Sequence, residues 1–157
     1  MTTDVSDIIS AEKDYYAFFA KAEKHLKNAE TFFPAEIIEQ GLLVPAINEL
    51  RYAGFHAASA LTLSGAEKIV AYQKAIAHCK RASYDSLDAS IQFCFSLCQT
   101  FREDYRLITV SDVIPDYSES RGRLDDIADD IKQHTTKEAR WECMEEYFNE
   151  VNTISKR

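Results

Sequence analysis

Residues 48–62 read NELRYAGFHAASALT, and the fold follows from how this stretch is taken. Pro45, just upstream, suits the first turn of a helix, where its missing N–H is one of those a helix leaves unpaired anyway. From there the pattern continues as helix to about residue 63, and Ser64 and Gly65 interrupt it. Ala46, Ala53, Gly54, Ala57, Ala58, Ser59 and Ala60 make the segment unusually rich in small residues. Small side chains let neighbouring helices approach closely, so this one is expected at the centre of a bundle or at a subunit interface.

Helical periodicity extends in both directions. Upstream, from about residue 6 to residue 33, Ile8, Tyr15, Phe18, Phe19, Ala22, Leu26, Ala29, Phe32 and Phe33 recur at three- and four-residue steps. Pro34 closes that helix or opens the short piece AEIIEQG, which ends at Gly41, a candidate left-handed cap. Downstream, a helical pattern runs from about residue 66 to residue 104, with room for a kink near residues 82–86. The stretch LITVSDVIPDYSES, residues 107–120, reads as a connection because its β-branched residues and Pro115 fit a helix poorly. Two closing helices follow, one on the stripe Leu124, Ile127, Ala128 and Ile131. The other starts at a capping-box pattern, Thr135 with Glu138, and buries Trp141, Met144, Tyr147, Phe148, Val151 and Ile154.

The composition agrees. Four glycines and three prolines in 157 residues leave few turn formers for an all-β fold. The expectation is a single all-α domain over residues 1–157, an antiparallel bundle of four to six helices with one core. The formal charge of −8, from 26 acidic and 18 basic side chains, sets a field that repels nucleic acid on average, while leaving room for a local basic groove. Cys79, Cys94, Cys98 and Cys143 lie on helical segments without CxxC spacing, which predicts reduced, buried thiols. The acidic start MTTDVSDIISAEKD lacks a signal-peptide pattern, and no apolar run approaches the ~20 residues of a membrane span. No membrane association and a cytoplasmic location are therefore expected.

Arg51 and His56, in R-Y-A-G-F-H, are the first candidate for chemistry. With AEKHLKNAETFF on one helix and AINELRYAGFHAASALT on the next, the first ~65 residues resemble the HEPN family, whose ribonuclease members carry an Arg and a His separated by four to six residues. The remainder matches only in being helical. The resemblance implies metal-independent RNA cleavage through the 2′-hydroxyl, with Arg51 holding phosphate, His56 moving protons, and Glu49 or Asn48 orienting them. Five residues of helix turn through about 140°, so the two side chains of one chain diverge. The family meets this by dimerising, which implies a homodimer with residues 45–63 near the two-fold axis. The bland alternative makes Arg51 the partner of Glu49 or another acid and His56 a core histidine, and many small members of the family are noncatalytic partners of a nucleotidyltransferase.

His78, Arg81 and Asp85 fall at offsets of three and seven and share a helix face, suited to a hydrogen-bonded chain, an anion site or a stabilising charged stripe. If their helix packs beside residues 45–63, His78 and Arg81 come near His56, and Tyr84 could join the network. Asp126/Asp129 and Glu142/Glu145 have i,i+3 spacings usable by Mg²⁺, but the apolar stripes beside them place these acids on solvated faces. No histidine follows a Glu by three residues, and no phosphate-binding loop, dinucleotide, zinc-protease or nucleophile-elbow string occurs. Cys94 and Cys98 offer half a thiolate site at most. No metal and no cofactor are expected.

The reading that results is a HEPN-like helical protein of a bacterial defence or toxin-antitoxin type system, acting as a noncatalytic dimeric binding or regulatory module. The alternatives are a metal-independent ribonuclease using Arg51 and His56 at a dimer interface, and an acidic immunity-like protein whose face 125–150 binds a basic partner.

Overall fold

Alanine-rich segments with few helix breakers commit to helix, and the long apolar stripes then set which faces meet. The computed structural model describes residues 5–133 and 136–156, without the side chains of residues 138 and 139. Among the described residues there are six α-helices and no strand: α1 (Val5–Phe32), α2 (Ala35–Glu39), α3 (Val44–Ala60), α4 (Gly65–Asp104), α5 (Tyr117–Lys132) and α6 (Lys137–Ser155). None is long and apolar enough to cross a membrane.

The local signals act as their chemistry requires. Gly41 takes φ +76° just past α2, and Pro45 sits in the first turn of α3. The connection after α4 is shorter than residues 107–120. A single 3₁₀ turn, Val110–Asp112, follows α4, but beyond Pro115 nothing opposes helix, and residues 117–120 already belong to α5. The capping-box pattern of Thr135 and Glu138 lies outside the described residues. α4 continues as one helix through residues 82–86, where the hydroxyl of Ser86 donates to the Ala82 carbonyl at 2.9 Å and that of Ser90 to the Ser86 carbonyl at 2.9 Å.

Among the five long helices, neighbours in sequence run antiparallel, while α1, α4 and α6 run in the same direction. Tyr15 meets Tyr72 and Phe33 meets Phe93 along α1 and α4, and Phe18 meets Trp141 and Phe32 meets Phe148 along α1 and α6. Against these, α3 descends along α4, and Arg123 and Tyr147 tie α5 to α6 head to tail: Arg123 grips Glu150 at 2.6 and 3.1 Å, and the Tyr147 hydroxyl donates to Asp130. With α4 in the middle, its central stretch buries side chains all round, including Ala82, Tyr84, Ser86, Leu87, Ser90 and Ile91.

Small residues pack the first half of the core. Ala53 and Ala60 of α3 are fully buried with Ala71, Ala75, Cys79 and Ala82 of α4, while Tyr15 and Ala22 close the layer from α1. The small face of α3 is thus used inside the chain, the first of the two places expected for it. The second half is bulkier, with Ile91, Ile127, Trp141, Met144 and Val151 at its centre. The thiols depart from the expected burial: Cys79 and Cys94 are buried and free, but Cys98 is half-buried and Cys143 exposed. Trp141 and the apolar side of α6 are buried as the stripe requires, leaving Asp125, Asp126, Asp129, Glu142 and Glu146 exposed.

His25, not anticipated as a core residue, is also buried. It occupies the α1 stripe between Ala22 and Ala29, and its Nε2 lies 3.6 Å from Glu145 of α6, which Lys21 holds at 3.0 Å. Burial depresses the basicity of His25; Glu145 opposes this, and Lys21 and Lys24 reinforce it. The folded state therefore resists a proton that the unfolded chain accepts near pH 6.5, so stability is fully present above that value and declines as pH falls below it.

Two measurements check this packing. Ala53→Leu, which forces a larger side chain into the α3–α4 seam, is expected to cost about 1–3 kcal/mol by urea denaturation, whereas Ala58→Leu on the exposed face stays within ~0.5 kcal/mol. Equal effects would mean the seam is loose. The urea midpoint is expected to fall between pH 7.5 and pH 5.5, with a shallower fall in His25→Gln; an unchanged slope in that variant would assign the pH dependence elsewhere.

Candidate functional site

Glu49, Tyr52 and His56 stand at offsets of three and seven on α3, and Lys74, His78 and Arg81 at four and seven on α4. Because α3 and α4 are antiparallel and drawn together by their alanines, these two rows face each other at the edge of the seam. Glu49 is the hub. Its Oε2 lies 2.8 Å from Arg81 Nε and 2.7 Å from His78 Nδ1. The η-nitrogen of Arg81 is 2.7 Å from the same His78 nitrogen. One imidazole nitrogen cannot donate to Glu49 and accept from Arg81 at once, and beside a charged carboxylate the donor role wins. His78 thus carries its proton on Nδ1, which leaves Nε2 as the acceptor of the neutral ring.

Burial alone would raise the Glu49 carboxyl, but the hydrogen bonds from Arg81 and His78 outweigh it and hold the group below its usual range. The cluster is therefore a partly buried, fully ionised pair whose carboxylate orients an imidazole.

The His56 ring stacks on His78, with centroids 5.2 Å apart and planes at 18°. It is half-buried and makes no hydrogen bond among the described residues. Partial desolvation lowers its basicity, and His78, Lys74 and Arg81 lower it further. Tyr52 flanks the pair with its ring 5.4 Å from His78, and the Arg51 guanidinium lies over the other end of this array, 4.6 Å from the Tyr52 centroid. Arg51 is exposed and pairs with no carboxylate among the described residues.

The expected residues thus divide. His56, His78, Arg81 and Glu49 come together, and Arg51 joins them only through Tyr52, since the helical turn separates it from His56. Asn48 is half-buried and makes no side-chain bond to the cluster. Asp85 does not extend the His78–Arg81 row. One turn beyond Arg81 the α4 stripe meets α6 instead of α3, and Asp85 Oδ1 accepts from Lys137 Nζ at 2.5 Å. Burial keeps the Asp85 carboxyl above its usual range despite that lysine. Tyr84 belongs to the α4–α6 core, with Lys137 Nζ 5.9 Å from its ring. The acidic spacings on α5 and α6 are taken up by ion pairs, Asp129 with Lys132 and Glu145 with Lys21.

Tyr52 and Lys74 were not singled out from the sequence, although the i,i+3 and i,i+4 offsets from Glu49 and His78 mark both. Chemically the site offers two stacked imidazoles, one oriented by a carboxylate, within a group of cations. Comparisons with protein-family models, with curated proteins and with solved structures find no match.

The electrostatics make one titration diagnostic. His56 is expected to titrate below the ordinary imidazole value of about 6.5 by NMR, and Lys74→Ala to move it upward. An unmoved His56 in that variant would take Lys74 out of the causes and leave desolvation with His78 and Arg81.

Proposed function

We propose that the chain is a HEPN-like module of a bacterial defence or toxin-antitoxin type system that engages RNA at the α3–α4 edge and cleaves it without a metal. The observation that carries this reading is the His56–His78 pair, 5.2 Å apart, with Glu49 behind one member. In such a site neutral His78, oriented through Nδ1, accepts the 2′-hydroxyl proton as that oxygen attacks phosphorus. Protonated His56 gives its proton to the departing 5′-oxygen, and the products are a 2′,3′-cyclic phosphate and a 5′-hydroxyl. Arg51, without a carboxylate partner among the described residues, is suited to hold the phosphate through its two-pronged donor geometry. Because His56 is a weak base, its protonated form is scarce above neutrality, and the optimum falls on the acid side of pH 7.

The proposal includes a homodimer. With the alanine face of α3 used internally, the surface left for a second copy is the opposite face, where Val44, Ile47, Phe55 and Leu61 are exposed, the last two at 66% and 72%. Exposed aromatic and aliphatic side chains grouped on one helix suit an interface, and Arg51 lies among them. The same face favours a second reading, the noncatalytic dimeric module, in which the Glu49 cluster only locks α3 to α4 and the acidic surface of α5 and α6 receives a basic partner.

RNA incubated with the protein in EDTA separates the two. Cleavage ending in cyclic phosphate is expected, with His56→Ala and His78→Ala each slowing it by about 10²-fold or more at unchanged helicity. An inert wild-type protein would sink the enzymatic reading and leave the module. Sedimentation velocity tests the dimer apart from the chemistry: Phe55→Asp should yield monomer, and a wild-type protein already monomeric at tens of micromolar would remove the interface.

A further inference from the structure

We infer that a second, independent binding site lies at the far end of α4, a groove for a small amphiphilic anion consisting of an apolar chain with a carboxylate or phosphate head. A cavity of about 550 Å³ opens between the last turns of α4, the connection before α5, α5 itself and the end of α6. Its apolar lining comes from Phe95, Phe101, Ile114, Leu124, Ala128 and Ile154. Three arginines also line it, Arg102, Arg106 and Arg121.

None of these arginines is paired with a carboxylate among the described residues. Arg81 and Arg123, by contrast, are held by Glu49 and Glu150. Acids outnumber bases in this protein, 26 to 18, yet three arginines without a carboxylate partner among the described residues line one cavity. Two carboxylates line the groove as well, but Glu103 already accepts a 3.0 Å bond from Gln99, and Asp125 leaves the cations in excess. The charge that complements such a rim is negative, and the surface that complements its floor is hydrocarbon.

Size argues for a small molecule. The volume falls within the roughly 300–1,000 Å³ of ordinary ligand sites. The neutral polar side chains in the lining are few, Gln99, Tyr117, Ser120 and Ser155, and the amide nitrogen of Gln99 is engaged by Glu103, so the site favours an apolar chain over a nucleotide base.

Calorimetry on the full chain tests the site with four probes: decanoate, decyl phosphate, decanol and adenosine monophosphate. Saturable one-to-one binding of decanoate or decyl phosphate is expected, whichever is tighter naming the head group, with decanol at least tenfold weaker. The combined Arg102→Ala, Arg106→Ala and Arg121→Ala variant should lose at least tenfold for the acids, and Ala128→Trp, which fills the groove, should abolish binding. The three arginines are exposed, so their variant stays folded even where the tryptophan variant does not. Absence of saturable binding, equal affinity for decanol, undiminished affinity in the triple variant, or tighter binding of the nucleotide would each overturn the proposal.

Discussion

Everything else in this structure depends on the close approach of α3 to α4 through alanine. Ala53 and Ala60 against Ala71, Ala75 and Ala82 bury little area per residue, and their value lies in what they permit. Two backbones come near enough that medium-length polar side chains on the seam's edge can reach across it. Glu49 then spans to α4 and holds both His78 and Arg81. With leucines in the seam the helices would stand further apart, and a glutamate would no longer meet both partners at hydrogen-bond distance.

The two halves of the core divide the work. The alanine half is thin and carries the polar cluster on its edge, while the half around Ile91, Ile127, Met144 and Trp141 is filled by bulkier side chains. Phe18 packs against both, so α1 joins them. The His25–Glu145–Lys21 contact adds a polar tie between α1 and α6, on the side of α1 away from the imidazole pair.

Much of this was legible in the residues. The helix order, the cap at Gly41, the first-turn proline and the apolar stripes follow from periodicity and backbone chemistry, which act locally. The meeting of His56 with His78 was readable as well, once two rows on facing helices were set side by side. What could not be read depended on which elements lie two helices apart. Asp85 shares a face with His78 and Arg81, yet that face passes from α3 to α6 within a single turn, and no local signal marks the handover. His25 sits on the apolar stripe of α1 but looks like one more basic residue among Lys21, Lys24 and Lys27. The small face of α3 was ambiguous between inside and outside because its complement, the alanine and cysteine row of α4, is recognisable only when both are placed together.

The length of α4 has a mechanical meaning. Forty residues of unbroken helix form a rod about 60 Å long. The imidazole pair stands about a third of the way along it at His78, and Arg102 near its far end. A rod of this kind does not bend sharply without a proline or glycine in its interior, and α4 has neither beyond its first residue. Tilting it by 5° at Arg102 would sweep His78 through about 3 Å, since the 24 intervening steps span some 36 Å. Displacements of a single ångström already separate productive from unproductive contact between reacting groups. Through this one helix, the imidazole pair and the arginine-lined cavity share a lever.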